Sequence, residues 1–172
     1  MHFQLTCKVN EQLESEQEIW KRLQVLMDEC KAADGDFKTL FKQFDIGCYF
    51  TNPSKPALEG YVLQHAKEQI DVFRRHVGLQ VCVYKIGITA NPLVRFHSYK
   101  QSNYTLMRVI HISPDLGLIK MLEAALIDIH IGLTGCRNTR LGGDGPLNSA
   151  KSKPPYCCYV VGAPADQKKR IH

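Results

Sequence analysis

The stretch Tyr84-Lys85-Ile86-Gly87-Ile88-Thr89 decides how this chain is read. It closes a run from Leu79 to Ile88 that is rich in Val and Ile and fits a buried strand. Side chains alternate across a strand, so Lys85 and Gly87 share one face while Tyr84 and Ile86 share the other. Gly87 leaves room for another group to approach the backbone. Asn91-Pro92 then opens a short helix, with proline suited to the first turn. On that helix Arg95 and Tyr99 are four residues apart and lie on one face.

Downstream, Thr105 to Ile112 reads as a second strand, ended by Ser113-Pro114-Asp115. Leu116 to Ile131 is the clearest helix, with Leu118, Leu122, Ala125, Leu126 and Ile129 recurring at helical spacing and Gly132 and Gly135 closing it. Glu123 is polar among those apolar neighbours, and Asn138 follows fifteen residues later. A glycine-rich loop, Leu141 to Pro146, precedes a last strand from Tyr156 to Val161.

Upstream, Glu11 to Ala33 carries Leu13, Ile19, Trp20, Leu23, Leu26 and Met27 at three- and four-residue steps, an amphipathic helix. A short helical piece from Phe37 to Phe44, a strand over 46–50 and a helix over 59–77, with Gly78 at its C-cap, complete the pattern. The predicted fold is α/β (α+β). A small, mostly antiparallel sheet of three to four strands is flanked by helices. Residues 1–45 form an N-terminal helical extension, 46–165 the main domain with a helical insertion at about 57–79, and 166–172 a basic tail.

The 172 residues are 44% hydrophobic and 23% charged, an ordinary globular balance with a formal net charge of +5. That charge permits contact with a phosphate backbone without requiring it. No window is apolar for long enough to span a bilayer, and the first residues lack the apolar core of a signal peptide. The seven cysteines are scattered, without a C-x-x-C pair, which favours buried reduced thiols over a zinc site and implies an intracellular protein.

The ordered set Lys85-Ile86-Gly87, Arg95, Tyr99, Glu123 and Asn138 resembles the GIY-YIG nuclease family across about residues 46–148. The resemblance is to members with Lys-Ile-Gly in place of Tyr-Ile-Gly in the second motif. Gly47-Cys48-Tyr49 is the best match to the first motif, although the helix over 59–77 separates it from the second. The resemblance implies a metal-dependent endonuclease that hydrolyses phosphodiester bonds of nucleic acid, DNA rather than RNA. In that reading Tyr49 is the general base, Lys85 its activator and Arg95 the phosphate clamp. Tyr99 contacts the phosphate, Glu123 holds Mg²⁺ or Mn²⁺, and Asn138 orders the site.

Each role has a chemical reason. An adjacent ammonium favours phenolate and so lowers a tyrosine's pKa. Guanidinium offers a planar fork to phosphate. A single carboxylate suits a hard ion that keeps most of its waters. Lys100, Arg108, Arg137 and Arg140 are expected to contact the nucleic-acid backbone. The alternative is a catalytically inactive module of the same fold that binds nucleic acid or another protein.

Overall fold

Tyr84 to Thr89 lies in strand β2 (Val81–Thr89) of a four-stranded sheet. In a computed structural model the chain groups into two compact units, residues 1–36 and 37–172. The structure describes 59–75, 81–140 and 153–164, the backbone of 44–50, and Glu18, Lys21, Arg22, Gln24, Val25 and Asp28 of the first unit. Those six positions are helical, and Arg22 pairs with Glu18 one turn back. The expected helix over 37–43, the glycine-rich loop 141–146 and the basic tail lie outside the described residues. Phe44, expected to end a helix, instead opens a strand.

The second unit contains, in order, β1 (Phe44–Phe50), α1 (Glu59–Arg75), β2, α2 (Pro92–Lys100), β3 (Leu106–Ser113), α3 (Leu116–His130) and β4 (Tyr156–Pro164). The sheet order is β1-β3-β4-β2. β4 runs antiparallel to both its neighbours, while β1 pairs parallel with β3. The sheet is therefore mostly antiparallel by pairing, as expected, and the last strand of the chain occupies an interior place in it.

The register assigns the two faces. Gly87, Tyr159 and Val109 form one row across β2, β4 and β3, and Lys85, Val161 and Met107 form a second row two residues along. These share a face. Tyr84, Ile86, Ile88, Tyr156, Cys158, Val160, Leu106 and Ile110 belong to the other face, where they make the main core with Val62, Ala66, Ile70 and Phe73 of α1 and Ile119, Leu122, Leu126 and Ile127 of α3. Burying side chains of this size stabilises by about 1.5–3 kcal/mol each, enough to hold two helices against the sheet.

Local chemistry fixes the helix starts. Asn91 caps α2 by accepting from the Val94 N–H at 3.1 Å, and Asp115 caps α3 by accepting from Gly117 and Leu118 at 2.7 and 3.2 Å. Cys136, Cys157 and Cys158 carry free thiols. Among the described residues, no helix is long and apolar enough to cross a membrane.

Candidate active site

Gly87 positions the centre of the site. Directly opposite it on β4 stands Tyr159, whose ring fills the space that a side chain at 87 would occupy. Tyr159 is 1% exposed, yet its hydroxyl meets two polar groups from α2. Arg95 Nε donates to it at 3.2 Å, and Tyr99 Oη lies 3.2 Å away. Arg95 and Tyr99 reach the same hydroxyl because they are one turn apart on α2, with the Arg95 guanidinium 5.4 Å from the centre of the Tyr99 ring. Tyr104 packs edge-on against Tyr99, with ring centres 5.3 Å apart, and fixes its orientation.

Arg95 itself is exposed. Its Nε is committed to Tyr159, which anchors the guanidinium at its base. The two tyrosines and the hydrogen bonds they make keep this guanidinium charged. Burial, and next the neighbouring Tyr99, push the Tyr159 phenol well above its usual range, against the opposing pull of Arg95. Tyr159 thus holds its proton in the resting site. Lys85 shares the face of Tyr159 and is its diagonal neighbour across the β2–β4 ladder, a separation of about 7–8 Å that a lysine side chain spans.

Tyr49, expected as the base beside Lys85, is placed elsewhere. It lies on β1, at the opposite edge of the sheet from β2, where its backbone pairs with that of His111 of β3. With strands about 4.8 Å apart, three steps put the two backbones roughly 14 Å apart. Tyr159 occupies the place beside Lys85 that the sequence order had suggested for Tyr49. The one sequence signal for Tyr159 is Gly87, since a glycine in a buried strand calls for a bulky cross-strand neighbour.

Asn138 is buried and makes a two-point clamp on β2. Its Nδ2 donates to Ile86 O at 2.8 Å, and its Oδ1 accepts from Ile86 N at 2.9 Å. Just before it, Tyr84 N–H donates to Gly135 O and Arg137 N–H to Tyr84 O, both at 2.8 Å. Residues 135–138 therefore form a strap that covers the outer edge of β2 and satisfies its polar groups.

Glu123 is buried, 6% exposed, in the inward stripe of α3 with Ile119, Leu122, Leu126 and Ile127. It lies close enough to Cys158 to add to the burial that drives that thiol's pKa upward. Cys158 belongs to the helical face of the sheet, opposite Tyr159. Among the described residues no group of three His, Cys, Asp or Glu side chains could hold a metal. One buried carboxylate beside Cys158, on the face away from Arg95, does not fit a hydrated Mg²⁺ or Mn²⁺ whose shell is completed by substrate phosphate oxygens.

Of the expected backbone contacts, Lys100, Arg137 and Arg140 are exposed. Lys100 rests over the Phe96 ring at 4.7 Å. Arg108 instead shares a row with Ile86 and Val160 on the helical face, where its Nη1 donates to Gln69 Oε1 of α1 at 3.1 Å. It stands on the side away from Arg95. Comparison with protein-family models, with curated proteins and with solved structures finds no match to this chain.

Proposed function

We propose that this chain is a GIY-YIG-type endonuclease that hydrolyses phosphodiester bonds of nucleic acid, DNA rather than RNA. The observation that carries the reading is the convergence of Arg95, Tyr99 and Tyr159 beside Gly87. Arg95 holds a phosphate through its outward nitrogens. Tyr159 and Tyr99 share one proton network at the foot of that clamp, and Lys85 is the cation whose approach favours loss of the Tyr159 proton. Tyr159 takes the role of general base that the sequence alone suggested for Tyr49. Asn138 holds the strand that carries Lys85. Glu123 stands on the helical face, across the sheet from Arg95 and Tyr159, so no part of this step is assigned to an ion held by it. Lys100, Arg137 and Arg140 extend the cationic contacts along the nucleic-acid backbone.

A second reading, a nucleic-acid-binding module without catalysis, is favoured by the burial of Glu123 on the helical face and by the raised pKa of Tyr159.

Incubation of plasmid and oligonucleotide substrates with Mg²⁺ or Mn²⁺ separates the two. The nuclease reading expects cleavage that falls about 10²–10³-fold in Arg95→Ala and Tyr159→Phe, as removal of a pre-organised donor generally costs. It expects no loss in Tyr49→Phe. Wild-type protein that binds DNA with a clear salt dependence but leaves it intact establishes the second reading. Cleavage undiminished in Tyr159→Phe removes Tyr159 from the mechanism.

A further inference from the structure

The face of the sheet away from Arg95 carries a buried polar pair that the proposed reaction does not use. Tyr84 Oη and His130 Nδ1 are 3.0 Å apart, with the rings edge-on and their centres separated by 5.7 Å. Tyr84 is 0% exposed and His130 4% exposed. The pair ties the last turn of α3 to β2, and it does so at the residue whose backbone also holds the strap. The Tyr84 N–H and C=O bond Gly135 and Arg137, and Asn138 then clamps Ile86. Lys85 lies between these two fixed points and belongs to the other face, in the row next to that of Tyr159.

We propose that Tyr84 and His130 are a positioning pair for Lys85. Their bond seats the strap and so holds Lys85 in diagonal register with Tyr159, and protonation of His130 unseats it. The inference rests on Lys85 serving Tyr159 in the reading above.

The charges around His130 decide the direction. On α1, the Arg74 guanidinium lies 5.0 Å from the centre of the Tyr84 ring. Arg74 and Lys67 oppose a proton on His130, and Asp71 favours one. From β2 the ring meets Tyr84, whose hydroxyl donates to the Nδ1 lone pair in the tautomer that carries its hydrogen on Nε2, the one taken here, and the Cys136 thiol of the strap lies near that tyrosine. The C-terminal end of α3 favours a cation by about 0.3–1 kcal/mol. Burial and then Arg74 outweigh Asp71, and the neutral ring is preferred in the folded state. Adding a proton turns Nδ1 into a donor, leaves the Tyr84 hydroxyl hydrogen without its acceptor, and brings a cation toward Arg74. Release of the last turn of α3 to water relieves all three.

Amide hydrogen exchange, followed by NMR without substrate or metal, tests the pair apart from any cleavage. The Arg137 and Ile86 amides report the strap, and amides of β3 report the rest of the sheet. In the wild type, strap protection, corrected for intrinsic exchange, should fall about three- to tenfold between pH 7 and pH 5, the range expected for losing one net hydrogen bond, while β3 stays protected. His130→Asn places a neutral, non-titrating side chain at this position and should remove the pH dependence. Tyr84→Phe should lower strap protection at pH 7 and also remove the pH dependence. If either variant fails to fold, the other and the wild-type pH series still decide. A wild-type strap protected equally at pH 7 and pH 5, or a Tyr84→Phe strap as protected as the wild type, overturns the proposal. Absence of DNA cleavage with the exchange pattern intact counts against the nuclease reading and leaves the latch standing. In an active enzyme, the acid limb of kcat should disappear in His130→Asn.

Discussion

Gly87→Ala tests the centre of the site with a single methyl group. An ideal Cβ at this position would lie 2.5 Å from Tyr159 Oη and 2.7 Å from its Cζ. Comfortable non-bonded contacts to carbon begin near 3.5 Å, so the end of the ring must retreat by roughly 1 Å. Both hydrogen bonds of the Tyr159 hydroxyl are already 3.2 Å long, and a retreat of that size breaks at least one of them. The ring cannot swing out cheaply, because Tyr159 is 1% exposed. Overpacking costs about 1–3 kcal/mol. Each lost hydrogen bond adds about 0.5–1.5 kcal/mol. Replacing glycine restricts the unfolded chain and returns about 0.4–1 kcal/mol. The net expectation is a loss of about 0.5–4 kcal/mol, read as a lower urea midpoint at unchanged slope. The aromatic resonances of Tyr159 and Tyr99 should shift together. Gly60→Ala is the control: its Cβ would meet nothing within 4 Å, and it lies in the first turn of α1. It should be neutral or slightly stabilising. A Gly87→Ala protein as stable as the wild type, with both tyrosine signals unmoved, would refute the packing of Tyr159 on Gly87.

Three further outcomes follow from the same geometry. Asn138→Ala leaves the buried Ile86 N–H and C=O without the amide that pairs with both, and should cost about 2–4 kcal/mol by chemical denaturation, with the strap amides losing protection first. Asp115→Ala removes a cap that holds two N–H groups and should cost about 1 kcal/mol, whereas Asp115→Asn should recover most of it. His130 is held below its usual range, chiefly by burial, so the unfolded chain binds its proton first. Its contribution to stability is present above about pH 6.5 and is lost as the pH falls from there toward the folded-state value. Unfolding midpoints of the wild type should therefore decline more steeply below pH 6.5 than those of His130→Asn.

Much of this fold was legible in the sequence, because its elements are written in local periodicity. The β2 strand, the proline-led helix carrying Arg95 and Tyr99, and the amphipathic α3 follow from spacings of two, three and four residues. Side-chain alternation also placed Tyr84 on the face opposite Lys85, where the structure buries it against His130. Strand order is different, since it depends on contacts between segments far apart in the chain. Gly47-Cys48-Tyr49 precedes the second motif in the sequence, and that order suggested a neighbour. In the sheet, β3 and β4 stand between them. Arg108 was misplaced for a related reason. Its parity in β3 was readable, but which face α1 covers was not.

The missing long-range information was carried by the residue with no side chain. A glycine inside a buried strand leaves a gap of about one residue's volume, and a close-packed interior does not tolerate such a gap. Only a large side chain on a paired strand, on the same face and in the same row, fills it. Among the aromatic residues of the last strand, Tyr156 and Tyr159 have opposite parity, so only one of them can share a face with Gly87. The choice between them depends on register, which the sequence does not set and the Gly87–Tyr159 pairing does. Once Tyr159 fills the gap, its hydroxyl lies within reach of α2, and the four-residue step from Arg95 to Tyr99 brings both side chains onto it. Lys85-Ile86-Gly87 thus contributes twice, through a cation on the face that carries Tyr159 and through the empty place that the Tyr159 ring fills.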